Sequence, residues 1–193
     1  GEKSNSLFEF YPILKSKFKY HRDIKNKLLK IINKAAFPLD QSENNTYLKN
    51  GHNHSFYKHD WNNSLNTNRP WYNLAGKKIV NQLTGMLKKC NYDNAIVHEI
   101  WFQQYKQHNF HGWHLHGRNF TGVYYLQFSK DLKQKGTEFI DTGNPKNKFI
   151  LDVKEGDMII FPSNVWHRSP QIKSDSTKTI ISYNIEGIID ETV

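Results

Sequence analysis

The sequence predicts a mainly β chain with helices on its N-terminal side, the strands folded as an antiparallel sandwich or jelly roll. Three observations carry this. Short strand-like runs recur from Ala95 to Ile185, separated by clusters of Gly, Pro, Asn and Asp. Two segments of helical period precede them. No repeat or linker divides the 193 residues, a length that suits one sizeable core. We therefore expect a single domain over 1–193, with 1–94 as helical support and loop region and 95–187 as the β core.

The elements follow in order. Residues 7–14 read as a short strand interrupted by Pro12. Residues 21–36 have helical period, with Ile24, Leu28, Ile31, Ile32 and Ala35 on one face and Lys25, Lys27, Lys30 and Lys34 mostly on the other. Pro38 ends this helix. Residues 38–70 show no period and are rich in Asn, Ser, Thr and Lys, as a long binding loop would be. His52 and His54 lie within it, but no strand pattern surrounds them to make a metal pair. Residues 71–90 form a second helix, with Ile79, Val80, Leu83, Met86, Leu87 and Cys90 on one face and Gly76 and Gly85 weakening it. A turn at 91–94 leads into strands at 95–105, 112–116, 122–128, 137–140, 148–153, 157–161 and 179–185. Their breaks are Asn144-Pro145, Glu155-Gly156-Asp157 and Pro162-Ser163-Asn164.

Composition narrows the function classes. The formal net charge is +9 and the pI about 9.5, which attracts nucleic acid, anionic membranes or acidic substrates. The excess is Lys scattered among Asn, the pattern of a solvated face. Mean hydropathy is −0.78, and aromatics make up 14%, so the core leans on Phe, Tyr and Trp. Cys90 is the single cysteine, so no disulfide forms within the chain and a reducing compartment is expected. No run of ~18 apolar residues is present to span a membrane. The first six residues carry no apolar signal segment.

The chemistry-bearing pattern is His114-Leu115-His116, a long β interval, then His167. On a strand, positions two apart face the same side, so His114 and His116 would point together. A third imidazole from a distant strand completes a three-point metal cap. Imidazole suits Fe, Zn, Cu and Ni, and three protein ligands leave coordination positions open.

The order of motifs resembles the 2-oxoglutarate/Fe(II) dioxygenases. It runs His114-x-His116, Gly-Val-Tyr-Tyr-Leu from Gly122, Gly-Thr-Glu-Phe from Gly136, and Glu-Gly-Asp-x-Ile-Ile-Phe-Pro-Ser from Glu155. His167, Lys178 and a closing strand ending in Asn184 follow. The likeness covers roughly 96–185. It is strongest to phage and bacterial members with H-x-H, and more distant to the prolyl hydroxylase branch. It implies a double-stranded β-helix (cupin-like) core and an Fe(II)- and 2-oxoglutarate-dependent oxygenase. That enzyme would hydroxylate a protein side chain or a small molecule and convert 2-oxoglutarate and O2 to succinate and CO2.

The resemblance also implies residue roles. His114, His116 and His167 fall on the metal-binding, catalytic positions. Tyr125 and Lys178 fall on the positions that hold the far carboxylate of 2-oxoglutarate, and Ser182 shares their strand face. A carboxylate taken out of water needs a cation and directed hydrogen bonds. Tyr105, Trp113, Arg118 and Trp166, with Trp101, are candidates for the substrate wall. His116 stands where most of the superfamily has Asp or Glu, so a neutral ligand replaces an anion. His111, three residues before His114, is a candidate ligand or gate. The cytoplasm of a bacterial or phage-infected cell is the expected location.

Three other functions compete. A nucleic-acid oxidative demethylase is prompted by the basic charge, but Arg168 stands alone after the distal histidine where such enzymes are Arg-rich. A three-His cupin dioxygenase would need no 2-oxoglutarate, against which Lys178 and Tyr125 argue. A non-enzymatic cupin-like binding module would keep the barrel and lack turnover.

Overall fold

The structure, a computed structural model, describes residues 13–35 and 54–191. Among these, two antiparallel sheets face each other and two helices cover the outer side of the first. Helix α1 (His21–Lys34) buries Ile24, Leu28 and Ile32 of the stripe its spacing predicts, with Leu29 added, while Ile31 and Ala35 are half-buried. Helix α2 (Pro70–Lys88) opens with proline at its first turn, where a missing N–H costs nothing. It buries Trp71, Ile79, Leu83 and Leu87.

The strands are β1 (Leu14–Lys17), β2 (His54–Ser55), β3 (Lys58–His59), β4 (Asn94–Tyr105), β5 (Phe110–His114) and β6 (Phe120–Gln127). They continue as β7 (Glu138–Asp141), β8 (Asn144–Ile150), β9 (Asp157–Pro162), β10 (His167–Ser169) and β11 (Lys178–Ile188). The first sheet runs β1-β9-β6-β11-β4-β3 and the second β2-β5-β10-β7-β8. This is the expected jelly roll.

Alternation on the first sheet feeds two cores. Ile100, Phe102, Tyr124, Leu126, Met158, Ile160, Ile181 and Tyr183 face outward and pack with α1 and α2. Tyr105, Val123, Tyr125, Ile159, Phe161 and Ile180 face inward, between the sheets. Gly122 permits the close approach of β6 to β9, since a Cβ there would lie 2.0 Å from the Ile159 carbonyl oxygen. Gly156, at φ +94°, makes the turn into β9.

The strand expected at 7–14 lies largely outside the described residues; among these, strand pairing begins at Leu14. Three local expectations change. β5 ends at His114 rather than 116. β8 starts at Asn144 because the 141–144 turn folds it directly back on β7, and its edge position tolerates Pro145. Three short strands escape a reading by period: β10, with three residues, and β2 and β3, with two each, the latter pair lying inside the expected loop. Among the described residues, no helix is long and apolar enough to cross a membrane.

Candidate metal centre and co-substrate pocket

His114 and His167 are direct partners across β5 and β10. The Nδ1 of His114 lies 2.6 Å from the Gly112 carbonyl oxygen and that of His167 2.8 Å from the Val165 carbonyl oxygen. A carbonyl can only accept, so each Nδ1 carries the proton and each Nε2 is left with its lone pair. This is the orientation by which backbone carbonyls fix metal-binding imidazoles. Burial, followed by the neighbouring His111, His167 and His116, holds the His114 imidazole well below its ordinary pKa, hence neutral.

His116 lies beyond the strand, so period-two alternation does not place it. A turn pinned to the β9–β10 connection does. The His116 N–H donates to the Ser163 carbonyl at 3.1 Å, the Ser163 N–H to the Asn119 carbonyl at 3.1 Å, and the Ser163 hydroxyl to the Arg118 carbonyl. The Nε2 atoms of His116 and His167 then stand 3.1 Å apart. Two nitrogens bound at right angles to one ion at ~2.1 Å would be about 3.0 Å apart, so this pair fits a shared metal. The candidate ligand atoms of all three histidines lie within 4.8 Å of one another.

His111 is stacked on His114, with ring centroids 3.6 Å apart and planes at 11°. Both point inward because the β5–β10 ladder is irregular. Between the paired residues 167 and 169 the partner strand advances from 114 to 111, an extra residue as in a bulge. The metal-capable group among the described residues contains His114, His116 and His167, without His111. His52 lies outside the described residues. His54 sits on β2 opposite His111, its ring 5.8 Å from that of His111.

The facing wall is the inner face of the first sheet, ordered in rungs by its register. Glu99, Asn184 and Thr121 are mutually opposed, then Trp101, Ser182 and Val123. Next come Gln103, Ile180 and Tyr125, and last Tyr105 with Lys178. The site cavity holds about 430 Å³ of unfilled space, part of it open to solvent. Its wall includes the three histidines, Trp101, Tyr125, Lys178 and Ser182.

Lys178 is 1% exposed. Its ammonium donates to the Lys135 carbonyl at 2.8 Å and to the Ser169 hydroxyl, and it lies 4.5 Å over the Tyr105 ring. No carboxylate among the described residues pairs with it. Burial, with a small push from Lys135, lowers its pKa to about 7. Tyr125 is buried beside it, its hydroxyl bonded to that of Thr137, and burial raises its pKa.

The substrate-wall candidates divide. Tyr105 lines the cavity, but at its deep end beside Lys178, its hydroxyl donating to Gln103 Oε1 at 2.9 Å. Trp101 lines it near His116, with ring centroids 6.3 Å apart. Trp113, Arg118 and Trp166 do not line it. Trp113 stacks under Arg168, which reaches the cavity wall and pairs with Glu138 at 3.2 Å. Arg118 is at the rim, 3.5 Å from Glu99, and Trp166 is 36% exposed. Reading by motif gave no role to Ser163, Thr137 or Ser169. Ser163 and Thr137 fall inside the Glu-Gly-Asp-x-Ile-Ile-Phe-Pro-Ser and Gly-Thr-Glu-Phe motifs but were not singled out, and Ser169 carried no signal.

Residues 99–184 match a family model described as "Putative 2OG-Fe(II) oxygenase". None of the curated proteins matches the chain in sequence. Among solved structures, a prolyl hydroxylase from Trichoplax adhaerens, bound to a hypoxia inducible factor oxygen degradation domain peptide, is similar. It has TM-score 0.59 and 12% identity, over 93% of this chain and 86% of that one. The viral collagen prolyl hydroxylase of Paramecium Bursaria Chlorella virus-1, in its 2OG complex, gives 0.56 and 16% over 92% and 96%. A Pseudomonas putida prolyl-4-hydroxylase gives 0.54 and 12% over 93% and 95%. At these identities the likeness is one of fold. The matched segment carries every histidine of the metal-capable group and both Tyr125 and Lys178, and it belongs to the 2-oxoglutarate/Fe(II) oxygenases.

Proposed function

We propose that the chain hydroxylates a side chain of a peptide or protein, with His114, His116 and His167 holding Fe(II) and Lys178 holding 2-oxoglutarate. One observation carries this: a convergent trio of imidazoles and a buried lysine, without an acidic partner among the described residues, line the same cavity. Bound iron, 2-oxoglutarate and O2 would supply the oxidation, inserting one oxygen atom into a substrate C–H bond as 2-oxoglutarate becomes succinate and CO2. The protein's part is to hold and orient. The Gly112 and Val165 carbonyls aim two imidazoles, and the Ser163 turn aims the third. Lys178 supplies the cation that a buried dicarboxylate needs, and Tyr125 and Ser182 offer hydroxyls on the same wall.

The peptide substrate is supported by the fold shared with prolyl hydroxylases, which makes prolyl peptides the first to test. We read 1–193 as one domain, supported by the core that helices and sheet share. An exposed, unbridged Cys90 suits the reducing cytoplasm. The decisive experiment is anaerobic addition of Fe(II) and 2-oxoglutarate, which should give a weak visible charge-transfer band. Its absence in the wild type, or its persistence in His167→Ala, refutes the metal assignment. Succinate formed in step with hydroxylated peptide would establish the substrate class, and turnover confined to small molecules would exclude the peptide.

A further inference from the structure

The rungs farthest from Lys178 carry polar groups that no described residue satisfies. Among the described residues, the Trp101 Nε1–H, Glu99 Oε2 and Asn184 Oδ1 are buried and have no hydrogen-bond partner. Buried polar atoms without partners are rare in native structures and point to something that completes them. Glu99 and Asn184 oppose each other on β4 and β11, one rung beyond Trp101 and Ser182 on the same sheet face. Trp101 is 2% exposed and lines the cavity beside His116, while Glu99 and Asn184 lie just outside the lining, on the rung whose third member, Thr121, belongs to it. The other oxygen of Glu99 meets only the Arg118 guanidinium, at 3.5 Å, and Arg118 is itself at the rim. This end of the wall is therefore opposite the co-substrate end, with the histidines between.

We propose that Glu99, Trp101 and Asn184 recognise a peptide group of the substrate chain, next to the residue that is oxidised. Trp101 donates to the peptide carbonyl, while Glu99 and Asn184 accept from a peptide N–H. This rests on the peptide-hydroxylase reading and names what that site reads. The donor decides between ligands. A cationic side chain would engage Glu99 but leave the indole N–H unmet, and would sit close to Arg118. A peptide group presents an acceptor and a donor together and meets both kinds of group at once.

The test uses the full-length Fe(II)-loaded protein and prolyl peptides with their backbone-N-methylated counterparts. Trp101→Phe keeps an aromatic ring where Trp101 stacks on Trp61 (centroids 6.0 Å apart) but removes the N–H together with the five-membered ring, so it is paired with Glu99→Gln, which removes a charge at nearly unchanged volume. The peptide KM should rise about tenfold in Trp101→Phe and in Glu99→Gln, with the 2-oxoglutarate KM moving less than about twofold. In the wild type, methylating one backbone nitrogen should cause a similar rise, and that methyl should cost little further in Glu99→Gln. Peptide turnover with unchanged KM in both variants, or an N-methyl scan without effect, overturns this inference and leaves the hydroxylase reading intact. A requirement for a neighbouring Lys or Arg that Glu99→Gln abolishes would make the site a cation site and also overturns it. If the wild type shows the charge-transfer band but turns over no peptide, both readings fall.

Discussion

Raising the pH from 7 to 9 should weaken 2-oxoglutarate binding about fiftyfold. In the proposed role Lys178 would hold the far carboxylate only as an ammonium, and burial sets its pKa to about 7 in the ligand-free protein. At pH 7 about half the molecules carry the charge; at pH 9 about one in a hundred does. The apparent dissociation constant scales inversely with that fraction, roughly tenfold per unit, or about 1.4 kcal/mol. The ligand itself is a dianion throughout this range and contributes no slope. The assay is anaerobic calorimetry of the metal-loaded protein in buffers of different ionisation heat. Near pH 9, uptake of close to one proton should accompany each 2-oxoglutarate bound. Lys178→Arg, whose guanidinium stays charged, should flatten the profile. A wild-type affinity that is constant from pH 7 to 9, with no proton uptake, refutes a neutral, co-substrate-binding Lys178.

The same lysine affects folding. Its native pKa lies below the unfolded value of 10.5, so between about 7 and 10.5 the unfolded chain holds a proton that the native chain lacks. Stability of the ligand-free protein should therefore rise with pH across that window, and denaturant titrations should show Lys178→Met losing this slope. Asp60 accepts from Arg69 Nη1 and Trp71 Nε1, both at 2.7 Å, and from the Phe102 N–H at 2.8 Å, with its side chain 0% exposed. Asp60→Ala strands the buried guanidinium and should cost about 3–5 kcal/mol by urea unfolding. Gly122→Ala drives a methyl into the Ile159 carbonyl and should cost about 1–3 kcal/mol or more, read as a fall in Tm. Ser163→Ala keeps the backbone bonds to His116 and Asn119 but loses the hydroxyl bond to the Arg118 carbonyl. Metal affinity, by competition with a chelator, should fall several-fold while the fold is retained.

Much of this was legible because the information is periodic or local. The stripes of α1 and α2, the inward run of Lys178, Ile180 and Ser182 and the turn at Gly156 each follow from spacing within one segment. What escaped depends on another segment. His116 looked like the second member of a strand pair, yet β5 stops at His114 and the ring is aimed by Ser163, 47 positions later. His111 faces inward because of a ladder irregularity with β10, a strand too short to show a period. Lys178 could have been a surface lysine on an edge. Its burial comes from β11 lying between β4 and β6, an adjacency set by topology alone. The polar groups of Glu99 and Asn184 acquire meaning only when register sets them opposite one another.

Register also binds the site to the core. On β11, Lys178, Ile180 and Ser182 face the cavity, while Ile181, Tyr183 and Ile185 face α1 and α2. On β4, Trp101, Gln103 and Tyr105 face in, while Ile100 and Phe102 face out. A slip of one residue would carry Lys178 and Ser182 to the helical side and bring Ile181 and Tyr183 into the cavity. The apolar outer face makes that slip costly, because it would expose or misplace several fully buried side chains at once. The helices thus contribute no residue to the cavity wall, yet they hold the register that puts a cation at one end, unmet hydrogen-bonding groups at the other, and the facing imidazoles between. Enlarging a cavity under this outer face, as in Leu28→Ala or Leu83→Ala, should therefore weaken the site through loss of folded protein rather than through altered co-substrate affinity in the molecules that remain folded.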